Sequence, residues 1–294
     1  WTSARFARVA TTNWTSPTSS SSPLAMSNNN VVPQVINADL GDDVVAFFTT
    51  RHGGVSSAPY RAANLGRWVG DNAEAVVANR EAVRRLADLD AIVWQRGVHG
   101  AEVLVVDSPH GQARRAGGGE LDLDALISRT PGLGVSALAA DCVPILLVAR
   151  ADGLGALSTT AVAAVHSGRV GTLRGVVPAA VATLRNLGYS YVRAAIGPSI
   201  CGACYEVPQA MQDAAERELP GIASTTRWGS PGLDLPGIIA RQLDDLDVQH
   251  HTLAHCTYEN DDLFSHRREG VTGRIAGVIA TRRAGVRWQE PQRG

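Results

Sequence analysis

The sequence predicts an α+β protein: a single layered domain with a mixed β-sheet core flanked by helices. Three observations point there. Short apolar runs of strand length recur along the chain, as in 134–140 and 143–149, and continuous runs of this length suit buried strands. Helical patterns separate some of these runs, but many strands follow one another directly, which argues against a purely doubly wound parallel sheet. The chain has 294 residues, 45% hydrophobic and only 19% charged, which is enough for one large domain or two smaller ones in an ordinary globular protein.

Composition also limits function. The formal net charge is −1, so bulk electrostatics suggest no nucleic-acid partner and no anionic membrane surface. No apolar run reaches membrane-spanning length. The four cysteines, Cys142, Cys201, Cys204 and Cys256, are few for this length. They argue for a reducing, cytoplasmic compartment in which each is buried, ligating or catalytic. A monomer or small homo-oligomer is expected.

Residues 1–30 differ from the rest. They are rich in Ser, Thr, Pro and Asn, carry Arg5 and Arg8, and contain no acid. Such a stretch cannot bury a core and is expected to be disordered. A transit peptide would have a similar composition, and there is no apolar segment of a secretion signal. Met26 lies just ahead of the regular pattern, so the natural start is expected near it and 1–25 are expected to be dispensable. Residues 31–284 are read as one domain and 285–294 as a tail.

The elements follow in order. Residues 44–50 (VVAFFTT) read as a strand running into a glycine-rich turn at 51–57. Asp71 or Asn72 caps a helix over 73–89, where Val76, Val77, Val83 and Leu86 recur at helical spacing. Residues 92–94 and 103–106 are short strands flanking His99. Residues 111–119 form a basic, glycine-rich loop expected to be mobile. After the two central runs, 162–165 is a strand ending at His166. Residues 171–187 read as one helix stopped by Gly188. Residues 192–196 are a strand, 208–218 and 234–246 are helices, and 252–256 and 275–280 are closing strands.

The central stretch is Asp141-Cys142, a carboxylate and a thiol between two apolar runs. Such a pair is costly to bury without partners. His99, in Val-His-Gly, and His166, in Val-His-Ser-Gly, sit in comparable settings. Two imidazoles and one thiolate, with a fourth position open to an activated water, are the usual equipment of a catalytic zinc site. The plainer reading is two turn histidines and a buried free cysteine, because the three lie too far apart in the chain for a local zinc loop. A third reading makes Cys142 a nucleophile with His166 as its base and Asp141 orienting the histidine. Cys201-Gly-Ala-Cys204 has the spacing of half a structural zinc site or a redox pair, but no second CxxC exists, and packing of a tight loop explains it as well. Arginines in or beside glycine-rich turns, namely Arg51, Arg169, Arg267, Arg268 and Arg274, are candidates for anion contacts, but most surface arginines are solvated and at most two or three of these are expected to touch a ligand.

Eight motifs occur in one order: 48–56 (FTTRHGGVS), 64–66 (NLG), 98–100 (VHG), 130–133 (TPGL), 140–146 (ADCVPIL), 164–168 (AVHSG), 196–207 (IGPSI followed by CYEV) and 256–274 (CT, FSHRR, TGR). Together they closely resemble the YfiH/laccase-domain family, the multifunctional purine nucleoside phosphorylases once called polyphenol oxidases. The resemblance runs from about residue 44 to 279. It implies a YfiH-like fold and a zinc enzyme that cleaves adenosine, inosine, guanosine and 5′-methylthioadenosine with phosphate and also deaminates adenosine. It places the metal ligands on His99, Cys142 and His166. Beside them Asp141, Cys142 and His166 are the implied catalytic residues, with Asp141 moving protons. Arg51, Asn64, Arg169 and Arg267 are the implied contacts to purine nucleoside and phosphate. Copper, the metal of the family's older label, is the less favoured cofactor, because copper oxidases use His-x-His pairs and this chain has none. Two departures stand out. Many members read His-Ala-Gly-Trp-Arg-Gly where this chain has His166-Ser-Gly-Arg-Val-Gly171, which puts the geometry of Arg169 in question. Many have Gln where this chain has Gly97.

Overall fold

The computed structural model describes residues 31–108, 120–151 and 160–283, all within one compact unit. The expected disordered segment at 1–30, the natural start near Met26, the basic loop at 111–119 and the tail at 285–294 lie outside the described residues.

The core is two mixed sheets packed face to face. The first is five-stranded, in the order β1 (Val35–Asn37), β2 (Val44–Thr49), β15 (Ile275–Thr281), β8 (Leu133–Ala139) and β3 (Ala91–Val93). The second is six-stranded, in the order β14 (Gln249–Thr252), β11 (Tyr191–Ile196), β9 (Val143–Arg150), β10 (Thr160–Ser167), β7 (Ala125–Ser128) and β5 (Val103–Val106). Two short ladders complete the set: β4 (Gln95–Arg96) with β6 (Leu121–Asp122), and β12 (Ala223–Thr225) with β13 (Pro231–Leu233). Each large sheet contains both parallel and antiparallel neighbours.

Both faces of the central strands are buried, which is why β8 and β9 read as continuous apolar runs rather than alternating ones. On β9, Leu146 and Val148 pack into the layer between the sheets with Phe48, Val135 and Ile279, while Ile145, Leu147 and Ala149 face the helices. The helices on that side are α3 (Val176–Asn186), α4 (Gln209–Glu218) and α5 (Leu235–Asp244), which contribute Val181, Ala215 and Ile239. On the outer face of the first sheet, Val83 of α1 (Ala73–Leu86) packs against Phe47 and Val278. The layers are therefore helix, sheet, sheet, helices. Phe48 is fully buried between the sheets, and its truncation to Ala would cost about 3–5 kcal/mol.

Several expected boundaries move, each for a local reason. Asn72 caps α1 by accepting from the Ala75 N–H (2.9 Å), and the helix stops at Leu86 rather than 89 because Asp88 turns into the left-handed region at φ 50°. The single helix expected over 171–187 is two: α2 (Arg169–Leu173) and α3, broken at Gly175, whose φ of 73° suits glycine. The strand expected at 252–256 is instead β14, ending at Thr252, and Cys256 forms an isolated bridge with Ser199. His166 lies inside β10, opposite Pro144 of β9, not beyond the strand. Strands β1, β4, β6, β7, β12 and β13 were not expected. A short helix α6 (His266–Glu269) completes the elements. Among the described residues, no helix is long and apolar enough to cross a membrane.

Candidate metal centre and substrate cavity

The chain crosses from one sheet to the other at 140–142, between β8 and β9. Asp141 sits at this crossover with φ 85°, a backbone conformation that non-glycine residues seldom adopt. Cys142 follows it immediately ahead of β9. The adjacent strand β10 brings His166 to the same end of the sheet. His99 arrives on the loop between β4 and β5, also with a positive φ, of 60°. Two strained residues at one spot fit a site whose surroundings hold an unusual backbone in place.

The donor atoms of His99, Cys142 and His166 all lie within 4.8 Å of one another. The two imidazole rings meet edge-on, with centroids 5.1 Å apart and planes at 74°. Two nitrogens and one sulfur at this separation are a small adjustment away from a tetrahedral metal with one position open, since Zn–N and Zn–S bonds are about 2.0–2.3 Å. The glycines around the cluster make this closeness possible. A Cβ on Gly168 would fall 2.4 Å from His99 Nδ1 and 2.9 Å from Cys142 Sγ, and one on Gly97 would fall 2.3 Å from His166 Nδ1. The Gly97 departure from Gln is thus a matter of direct contact with a candidate ligand.

Asp124, which the sequence reading missed, organises the centre. It is fully buried just ahead of β7. One carboxylate oxygen accepts from the His99 backbone N–H (3.0 Å) and lies 2.8 Å from His166 Nδ1, and the other accepts from the Gly100 N–H (2.6 Å). Holding Nδ1 in this way leaves Nε2 of His166 to face Cys142 and the cluster, the arrangement by which carboxylates orient metal-binding histidines. Burial works against charge on His166, but the neighbouring Cys142 and Asp124 outweigh it and raise its pKa to about 9. Burial likewise works against the Asp124 carboxylate, but its bonds to His166 and the two backbone N–H groups hold it below the usual range. His99 is pushed down by burial and by His166 beside it.

Next to the cluster lies a cavity of about 670 Å³. Its lining includes His99, Asp141, Cys142, His166, Arg169, Tyr205, Arg267, Arg274 and the exposed Trp68. Arg267 stacks on Tyr205 with its guanidinium carbon 5.1 Å from the ring centroid. Arg96, over the Trp68 ring at 4.8 Å, also lines the wall.

Not every expected contact residue reaches this cavity. Arg51 is not in its lining: it pairs with Glu269 (2.7 Å), donates to the Arg61 carbonyl (3.1 Å) and lies over Phe264. Asn64, fully buried, accepts from the backbone N–H groups of Gly66 and Arg274 (both 2.9 Å), and so shapes the cavity wall from behind. Arg268 points away into four backbone carbonyls and Glu269. Asp141 does line the cavity, but both its oxygens are engaged, by Thr257 and Ser265 hydroxyls (2.7 Å each) and by the Arg267 N–H (2.6 Å). Asp141 anchors the turn that carries Arg267, and a proton-transfer role would require one of these donors to let go. The orienting partner of His166 is Asp124, not Asp141.

Comparison with known proteins places the chain among relatives of known sequence and fold. Residues 45–282 match the family described as multi-copper polyphenol oxidoreductase laccase. A purine nucleoside phosphorylase of Streptomyces griseus is 43% identical over 237 residues, covering 79% of this chain and 92% of that protein. The crystal structure of a Neisseria meningitidis protein matches with a TM-score of 0.71 at 32% identity, covering 85% of this chain and 99% of that one. That of a Bacillus licheniformis protein, YfiH, matches with a TM-score of 0.74 at 28% identity, covering 85% and 97%.

Proposed function

The chain belongs to the YfiH/laccase-domain family, and from that membership and its cavity we propose that it is a zinc-dependent purine nucleoside phosphorylase. The observation that carries this reading is one cavity lined both by the His99–Cys142–His166 donor cluster and by Arg169, Arg267 and Arg274. Its volume lies in the range that takes up a small organic ligand. The substrates proposed are adenosine, inosine, guanosine and 5′-methylthioadenosine with phosphate, and adenosine deamination is proposed as a side activity of the same cavity. The catalytic domain is proposed to span 31–284.

A zinc ion at the three donors would supply Lewis acidity beside the bound nucleoside. The chain's own residues do the rest. The arginines hold phosphate, whose oxygen attacks ribose C1′ as the C1′–N9 bond breaks and its electron pair passes to the purine. Trp68 and Tyr205 offer aromatic faces to the base. Asp141 holds the Ser265–Arg267 turn so that Arg267 stays against the cavity. Asp124 fixes the ring of His166. An assay of zinc-loaded protein on adenosine with phosphate, following adenine, ribose 1-phosphate and inosine, tests the proposal. Absence of turnover on every purine nucleoside would sink it.

One observation favours a second reading. Cys142, His166 and Asp124 line up as nucleophile, base and orienting carboxylate, the arrangement of a metal-independent cysteine hydrolase. That reading leaves His99 without a task. Activity that survives complete chelation and is lost on alkylation of Cys142 would support it. A multi-copper oxidase is disfavoured by the donors: among the described residues, His99 and His166 are the only histidines in a cluster able to hold a metal.

A further inference from the structure

A second group of donors lies outside the cavity. Cys201 and Cys204, read from the sequence as an unmatched CxxC, meet Cys256 and Glu259 with all four donor atoms within 4.8 Å of one another. We propose that these four residues form a second, structural zinc site.

The two halves of the cluster are built alike. Cys201 and Cys204 begin and end a turn in which the Cys204 N–H donates to the Cys201 carbonyl (2.9 Å). Cys256 and Glu259 begin and end another, in which the Glu259 N–H donates to the Cys256 carbonyl (3.2 Å). Cys-x2-Cys is therefore matched by Cys-x2-Glu, a second half-site that the sequence conceals because its last ligand is a carboxylate. The isolated bridge between Ser199 and Cys256 brings the turns together, and the Cys201 N–H points at Cys256 Sγ (3.4 Å). Cys201 Sγ lies 3.8 Å from Glu259 Oε2. Three thiolates and one carboxylate fill four positions and leave none for substrate, which is the mark of a structural rather than a catalytic centre. Thiolate-rich, four-coordinate donors select zinc over the hard cations. Arg227, paired with Glu259, offsets part of the negative charge.

None of the four lines the cavity, but their neighbours do. Ile200 and Tyr205 flank the first turn in the cavity wall, and Thr257 beside Cys256 holds Asp141. A metal here would clamp together two turns that carry one side of the cavity. The alternatives are a Cys201–Cys204 disulfide and three plain thiols.

Metal content of the full chain, purified under reducing conditions and measured by mass spectrometry, decides the matter. The His99→Ala variant, with the first centre disabled, is expected to keep one zinc per chain, and X-ray absorption at that zinc to report three sulfurs. Cys204→Ser is expected to lower zinc by one per chain relative to wild type. A metal-free His99→Ala protein, a zinc shell without three sulfurs, or a Cys201–Cys204 disulfide would overturn the proposal. If Cys204→Ser fails to fold, the stoichiometry and sulfur count of His99→Ala still decide. These readouts do not depend on turnover, so loss of the phosphorylase reading would leave them intact.

Discussion

Replacing Asp124 with Asn removes one charge and one acceptor while hardly changing the side chain's shape. In the native protein one oxygen of Asp124 serves the His99 N–H and His166 Nδ1 and the other serves the Gly100 N–H, at 2.6–3.0 Å. An Asn has a single acceptor oxygen. Whichever way the amide turns, its NH2 faces at least one N–H, and a buried donor left unsatisfied costs about 1–3 kcal/mol. For a protein of this size that corresponds to a fall in Tm of roughly 2–12 °C. The lost carboxylate also frees the His166 ring, and removal of such an orienting partner lowers metal affinity about 10–100-fold. Competition with a chromophoric chelator at pH 7, alongside thermal melts, measures both. A variant that binds zinc as tightly as wild type and melts at the same temperature would refute the role assigned to Asp124.

Other outcomes follow from the same geometry. Gly168→Ala should push His99 away from Cys142, because the new Cβ would fall 2.4 Å from His99 Nδ1; zinc content should drop while circular dichroism stays native, and full metal occupancy would count against the proposed ligand set. In metal-free protein, the His166 pKa raised to about 9 means that its stabilising effect is complete below about pH 6.5 and is lost as pH rises through about 9. Urea midpoints of chelated protein should therefore fall across that window, and apparent zinc affinity should rise with pH there because His166 must shed its proton to bind the metal; flat profiles would contradict the Cys142–His166–Asp124 arrangement. Arg169→Ala and Arg267→Ala should raise KM for phosphate, at least tenfold if each makes a charge-assisted contact of about 1.5–3 kcal/mol. Arg51→Ala should instead lower Tm with KM little changed, since Arg51 holds Glu269 and the Arg61 carbonyl; a phosphate KM effect confined to Arg51 would reverse the assignment.

The fold was legible where burial leaves a periodic trace. The runs at 134–140 and 143–149 announced strands because both faces of β8 and β9 are covered, and α1 declared itself through Asn72 and its apolar spacing. Short strands such as β4, β6 and β13 left no trace, since two or three residues hold no periodicity and form only because a neighbour offers its hydrogen bonds. The break at Gly175 was hidden because apolar helical spacing continues across it.

For the site, the sequence by itself determined the ingredients: an Asp-Cys pair too polar for its apolar surroundings, histidines beside glycines, a CxxC, and a set of motifs whose order identified the family. Tertiary structure alone decided which ingredients meet. It chose Asp124 over Asp141 as the partner of His166, from 42 residues away, and it turned Arg51 toward Glu269 while leaving Arg169, Arg267 and Arg274 at the cavity. It also brought Cys256 and Glu259 to the CxxC. The physical reason is the same in each case. Local patterns arise from contacts that repeat every two or three to four residues, whereas a ligand set or a salt bridge depends on where two packed sheets bring distant strand ends together. The crossover at Asp141 places Cys142, strand β10 places His166 and the β4–β5 loop places His99, and no local spacing records that the three meet.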